Sequence, residues 1–537
     1  MAPCPTAVTS LVLLLLLLLL SPALSLTSPS LQPECATSPK KSSTPSASSF
    51  APSTSFLSTL HSTLDEIQKL VSVVSTFSGN LGGNLRLSSA VSDCLDLLDL
   101  SSDEISSTIS ASQPSTASAT AGTGNRRSDV RSWLSAALGN QETCKESLEG
   151  TNSVLGSLVS GGLQSITSLV ADSLRDVAAG SGGVGGAGNA GRRRLMGKVS
   201  DGFPGWVSLG DRRLLQAPAG TAADAVVAKD GSGKYTTVGA AVAAAPTEST
   251  KRYVIYVKKG AYKENVEIKK KTWNIMLVGD GLGQTIISGS RNFVDGWTTY
   301  RSATFAVSGK GFIVRDLTIE NTAGPSKHQA VALRSDSDLS VYYRCSFLGY
   351  QDTLYAHSLR QFYRECRIAG TVDFVFGDAA AVFQSCTLLA RRPLPDQKNS
   401  VTAQGRKDPN QNTGFSLQFC NVSADSDLAG FTNSTATYLG RPWKEYSRTV
   451  VMQSYLGVAV RPEGWLEWNG DFALRTLYYG EYMNYGPGSG LAGRVKWPGY
   501  HVITDSAQAV NFTVGQFIDG NLWLPSTGVK YTAGLTM

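Results

Sequence analysis

Gln329, the pair Gln351-Asp352, and Asp373 follow one another at intervals of 22 and 21 residues. Runs rich in Val, Ile, Tyr and Phe recur at about the same interval, and repeats of roughly 20–25 residues mark solenoids of stacked strand coils. Residues one coil apart lie one above the other, about 4.8 Å between strands. The spacing therefore gathers two carboxamides and two carboxylates on one face of a parallel β-helix. Two neighbouring aspartates do not both ionise readily, so one is expected to hold a proton near neutral pH. The product is a nucleophile and an acid side by side, with NH₂ donors next to them. Stacked Gln and Asp also form purely structural hydrogen-bonded ladders, and for either glutamine alone that reading is equally good. Two buried acids are costly without a chemical role, which favours chemistry at Asp352 and Asp373.

Other chemistries are poorly supported. There is no Gly-x-Ser-x-Gly elbow, and the chain has only four histidines, His61, His328, His357 and His501. No Cys/His cluster has zinc spacing, so no metal is expected. His328 beside Gln329 is read as structural rather than as part of a site. The glycines at 231–233 and 279–283 lack the context of a phosphate loop and read as turns. Carboxylate chemistry remains, with no cofactor.

The elements that position these residues begin near Asp224. Strand-like runs occur at 253–257, 275–278, 312–319, 331–333, 341–347, 362–368, 381–389, 415–422 and 449–455. No long helical pattern separates them, which argues against a doubly wound α/β fold and for an all-β right-handed parallel β-helix. The chain ahead of them is different. Leu57, Leu60, Leu64, Ile67 and Val71 keep three-to-four spacing, as do Trp133, Leu134, Ala137 and Leu138, so residues 57–178 are expected to form a four-helix-bundle-like α-helical pro-domain.

The remaining segments frame these two. Leu-Val and eight leucines at 11–20 are too short to span a bilayer, and Ala23-Leu24-Ser25 offers a cleavage site, so 1–25 reads as a secretory signal peptide. Residues 26–56 are rich in Ser, Thr and Pro. Residues 179–216 form a Gly/Ala-rich linker with two basic patches, Arg192-Arg193-Arg194-Leu195 and Arg212-Arg213-Leu214-Leu215. A processing protease is expected to cut at the second, which leaves 217–537 as the catalytic domain. Acceptor sequons at Asn421, Asn433 and Asn511 agree with secretion.

Secretion permits disulfides. Cys94 and Cys144 are the best candidate pair; Cys345, Cys366 and Cys386, spaced 21 and 20 apart, are expected to stack in one interior column, as thiols or with a bridge. Charge divides the chain as composition does. Residues 26–190 hold 9 Lys/Arg against 14 Asp/Glu, and residues 217–537 hold 33 against 26, although the whole chain is +6. A basic C-terminal half attracts an acidic polymer, and the acidic segment can dock on it. Nucleic acid fits that charge too, but no nucleic-acid-binding motif is present.

Five stretches together point to a family: Gly260-Ala261-Tyr262-Lys263-Glu264, Gln329-Ala330-Val331-Ala332-Leu333-Arg334, Gly349-Tyr350-Gln351-Asp352-Thr353-Leu354, Asp373-Phe374-Val375-Phe376-Gly377 and Leu439-Gly440-Arg441-Pro442-Trp443. In this order and spacing, over about residues 224–537, they resemble plant pectin methylesterases. Residues 57–178 resemble that family's inhibitor-like pro-region through Asp93-Cys94-Leu95 and the run from Asp129 to Leu138. Such a region usually begins with two cysteines closing a short hairpin, whereas Cys35 here has no nearby partner.

The resemblance implies hydrolysis of the methyl esters of galacturonate in pectin, giving methanol and a free carboxylate. Asp373 would be the nucleophile, held ionised by Arg441. Asp352 would be the proton donor and later the general base. Gln329 and Gln351 would stabilise the oxyanion, Trp443 would stack on a sugar, and Thr299 matches a substrate-contact position. It further implies a secreted, cell-wall enzyme, expected to be a monomer, whose pro-region can mask the cleft. A polygalacturonase or a pectate lyase is the nearest alternative enzyme, and an inhibitor or binding module the nearest non-enzyme.

Overall fold

The computed structural model describes residues 52–78, 83–113, 122–151, 153–179 and 223–536. The expected signal peptide, the Ser/Thr/Pro-rich segment up to residue 51, Cys35 and the basic patches of the linker lie outside the described residues.

Four helices come first: α1 Thr54–Ser75, α2 Leu85–Ser112, α3 Arg126–Glu149 and α4 Val154–Ala179. Ser53, Asn84 and Asn125 cap the first three, each side-chain oxygen accepting from a backbone N–H of the first turn. One stripe of each helix is apolar and points inward: Leu60, Ile67, Leu70 and Val74 of α1 meet Val159, Leu163, Ile166 and Val170 of α4. Cys94 of α2 and Cys144 of α3, the best candidate pair in the sequence, form a disulfide. Trp133 departs from expectation. It faces away from the bundle core and packs, with Ala136, on Leu359 of the following domain.

From Ala225 onward the chain winds into a parallel β-helix. Among the described residues its three parallel sheets hold eleven, seven and eight strands, each strand pairing with the ones a coil before and after. Several expected single runs are two strands each. The run at 341–347 divides into Ser340–Tyr343 and Ser346–Leu348, and that at 362–368 into Arg360–Arg364 and Arg367–Gly370. A single left-handed residue makes each corner: Asp316, Arg344, Glu365, Ser385, Phe419 and Gln453, with φ between 49° and 58°. No glycine is used there, so the stacked coils on either side must hold a conformation that is locally unfavourable.

Directly after four of these corners come Cys345, Cys366, Cys386 and Cys420, buried free thiols in consecutive coils. The expected column exists as thiols and has one more rung than the three foreseen. Inside the coils Phe305, Leu333, Leu354 and Val375 stack in register, as do Val314, Tyr342, Tyr363 and Phe383 in another sheet. Short helices near the C-terminus cover the outer face of the eleven-stranded sheet, where Val514, Ile518, Trp523 and Leu524 meet Ile313, Val341, Phe362 and Val382.

Candidate active site

The outer face of the seven-stranded sheet is the floor of the site. Its outward-facing column runs Ala306, Arg334, Tyr355, Phe376 and Ala403, one residue per coil in paired register, all of them buried. Phe376 stacks on Tyr355 with ring centroids 4.1 Å apart, and Trp443 leans edgewise on Phe376. Gly405 makes room for Trp443, since a Cβ there would lie 2.9 Å from the indole Cε3.

The two acids sit where the chain enters consecutive strands of this sheet. Leu354 pairs with Val375, so Asp352 and Asp373, each two residues earlier, occupy equivalent places one coil apart. Both are left-handed, with φ of 63° and 51°. That conformation recurs at structural corners, so it aims the carboxylates outward rather than marking them as reactive. Arg441 forks Asp373, Nε donating to Oδ1 at 2.8 Å and Nη2 to Oδ2 at 2.7 Å. This bidentate geometry favours the charged carboxylate. Asp352 receives no such partner. Burial pushes its carboxyl well above the usual range, and the charge of Asp373 adds to the shift, so Asp352 favours its proton.

All seven residues singled out in the sequence line one cavity of about 360 Å³: Thr299, Gln329, Gln351, Asp352, Asp373, Arg441 and Trp443. His328 is not among them; it is exposed and left-handed. Four aromatic residues of the cavity were not foreseen, Phe293, Tyr300, Tyr355 and Trp468. Trp468 stands over the Arg441 guanidinium at 4.4 Å. Trp468 is partly exposed, three residues from the buried Trp465, a difference the sequence does not show. The arrangement offers an arginine-paired carboxylate, a second, buried acid, amide side chains and flat apolar walls, which suits chemistry on an ester carbonyl.

Comparison with known proteins agrees. Residues 224–521 match the Pectinesterase family model, and residues 30–175 match the plant invertase/pectin methylesterase inhibitor model. A pectinesterase/pectinesterase inhibitor of Prunus persica is 62% identical over 481 residues, covering 89% of this chain and 89% of its own. A probable pectinesterase/pectinesterase inhibitor of Arabidopsis thaliana is 58% identical over 487 residues, covering 90% of this chain and 92% of its own. Among solved structures, the pectin methylesterase from carrot aligns with a TM-score of 0.58 and 58% identity, over 59% of this chain and 99% of its own.

The chain belongs to the pectinesterase family.

In this pectinesterase the cavity has a second wall, supplied by the inhibitor-like helices. Arg86 of α2 and Thr143, Glu146 and Ser147 of α3 line it together with Asp352 and Asp373. Asp93 binds Arg301 Nε at 2.9 Å and accepts from the Thr298 hydroxyl at 2.6 Å, while Asp96 pairs with the same arginine. Lys270 lies between Asp99 and Asp103, at 2.8 and 2.6 Å. Arg360 bridges Asp129 of α3 and Asp338 of the β-helix, both buried, at 2.6 and 2.7 Å. His357, paired through Nδ1 with Asp336, meets the Thr143 hydroxyl at 2.9 Å through Nε2. Charge complementarity between the halves is legible in the sequence, but the pairs that cross between them are not, because those partners are more than 150 residues apart.

Proposed function

We propose that this pectinesterase removes methyl esters from galacturonate residues of pectin through a covalent aspartyl intermediate. The carboxylate of Asp373 attacks the ester carbonyl carbon, and its C–O double bond opens to an oxyanion facing the amide NH₂ groups of Gln329 and Gln351. One such donor is typically worth about 3–4 kcal/mol of barrier. Collapse breaks the bond to the methoxy oxygen, which takes the proton of Asp352 and leaves as methanol. Asp352, now a carboxylate, draws a proton from water; the resulting hydroxide attacks the acyl-enzyme and releases Asp373 and a free galacturonate. Thr299, Arg441 and Trp443 contact the substrate, Trp443 by stacking on a sugar ring. Nucleophile and proton both come from side chains, so no cofactor takes part. The observation that carries this reading is the asymmetry of the acid pair: Arg441 forks Asp373 and leaves Asp352 buried and unpaired.

The inhibitor-like region masks the cleft in the intact chain, and cutting at Arg212-Arg213-Leu214-Leu215 frees it. Support comes from its contribution to the walls of the catalytic cavity. The enzyme acts as a monomer in the cell wall after secretion; the apolar leader and the exposed Asn421, Asn433 and Asn511 support that destination.

The test is methanol release from highly methylated pectin by residues 217–537, wild type beside Asp352→Ala. Release that disappears in the variant is expected. New reducing ends or unsaturated products without methanol would move the assignment to a glycosidase or a lyase.

A further inference from the structure

Two lysines of the β-helix converge on a carboxylate that belongs to the helical domain. Glu142 of α3 receives Lys407 Nζ on Oε2 and Lys444 Nζ on Oε1, the latter at 2.8 Å; Lys444 also binds Glu146, one helical turn on. Every ion pair of these two lysines among the described residues is with those two glutamates. Burial alone would raise the Glu142 carboxyl, yet the two ammonium groups hold it down to about 2, which identifies a strong carboxylate receptor. Asp378, the remaining acid facing the same small cavity, is bonded to Gln411 and Thr413 and pushed up to about 7 by burial, so it does little to neutralise the lysines. Lys444 also sits with its ammonium 5.3 Å from the Trp443 ring, three residues from the Arg441 that forks Asp373.

We infer that Lys407 and Lys444 form a subsite for the free carboxylate of a galacturonate residue near the reacting ester, and that Glu142 occupies this subsite in the intact chain as a stand-in for the polymer. The inference rests on the esterase reading above and adds to it which ester is chosen. Each turnover converts a neutral methyl ester into a carboxylate. A polymer already freed at one sugar then offers the charge that the two lysines lack once α3 is gone. Demethylation next to an existing free acid is favoured, and it spreads in blocks. Helix α3 excludes substrate partly by placing its own carboxylate where the product's carboxylate binds.

The experiment uses residues 217–537, the part corresponding to nearly the whole of the carrot chain, which folds without a helical domain. Methanol release is followed on two substrates: highly methylated pectin, and the same pectin de-esterified in blocks to about half. The wild type is expected to show a higher kcat/KM per ester on the block substrate. In Lys407→Gln/Lys444→Gln that preference falls about tenfold, mainly through KM, as expected for losing a charge-assisted contact. Lys407→Arg/Lys444→Arg retains it. The wild-type preference also declines as salt rises from about 0.05 to 0.5 M. An unchanged preference in the Gln variant, an equal loss on both substrates, or a salt-independent preference would overturn the subsite. If the Gln variant fails to fold, the Arg variant and the salt series still decide. No methanol from either substrate with folded wild type would overturn the esterase reading instead, and the subsite with it.

Discussion

Replacing Asp373 by Asn preserves size and leaves one oxygen for Arg441, but removes the charge that makes the group a nucleophile. Methanol release should fall by at least about 10³-fold with the circular dichroism spectrum unchanged; near-normal turnover would show that the nucleophile lies elsewhere. Asp352 differs because its native state favours the proton. Burial and the Asp373 charge raise its carboxyl above the unfolded value, so stability is full below about pH 4 and is lost as pH rises through the native value. Asp352→Asn should therefore melt like the wild type near pH 4 and at a higher temperature near pH 7, while losing about 10²–10⁴ in rate. Equal melting at both pH values would mean that the pair is not strained by charge. The acid pair and its amides were legible because a coil period brings them into register, and charge chemistry does the rest. Trp468 was not, because no period relates it to the acids; the His357–Asp336 pair keeps the 21-residue period, but a lone histidine beside an acid reads as structure.

At the scale of elements, the coil corners explain why strand runs looked longer than they are. Apolar residues continue on both sides of Arg344 or Glu365, and a single left-handed residue leaves no Gly or Pro signal in the sequence. Helix α3 shows the converse, a glycine whose purpose appears only on docking. A Cβ on Gly139 would lie 3.2 Å from the Asp378 carboxylate, so the bare backbone is what lets α3 approach. Gly139→Leu should lift α3 from the β-helix while the bundle keeps its own core, which Leu134, Ala137 and Leu138 build on other faces. Faster amide exchange in the loop around Gln411, whose Nε2 donates to the Ser135 carbonyl of α3 at 3.1 Å, would register that loss. Unchanged protection there would mean that the contact yields without cost.

Over the whole molecule, docking of the helical domain is linked to pH. Asp93 is pushed up to about 6 by burial, against the pull of Arg301; Glu146 is also raised by burial, against Lys444. Glu104, buried and facing Asp336 and Asp338 across the seam, shifts the same way. Carboxyls raised on docking bind protons that the separated domain would release, so their contribution to docking is full below about pH 4 and is lost as pH rises through about 6. Glu142 has the opposite sign, but with its value at about 2 it is ionised, docked or not, throughout the range above about pH 5. It therefore contributes a constant there, and the raised groups set the trend. The ratio of methanol release by the full chain to that by residues 217–537 should climb from about pH 4.5 to about pH 7, by no more than about tenfold per pH unit for each group that titrates. Taking the ratio cancels the titration of the catalytic pair, which both forms share. Asp93→Asn should flatten the climb, because its amide cannot ionise and so resists no rise in pH. A ratio constant across the range would mean that the buried seam acids do not control release of the cleft, and that freeing it depends on cutting the linker alone.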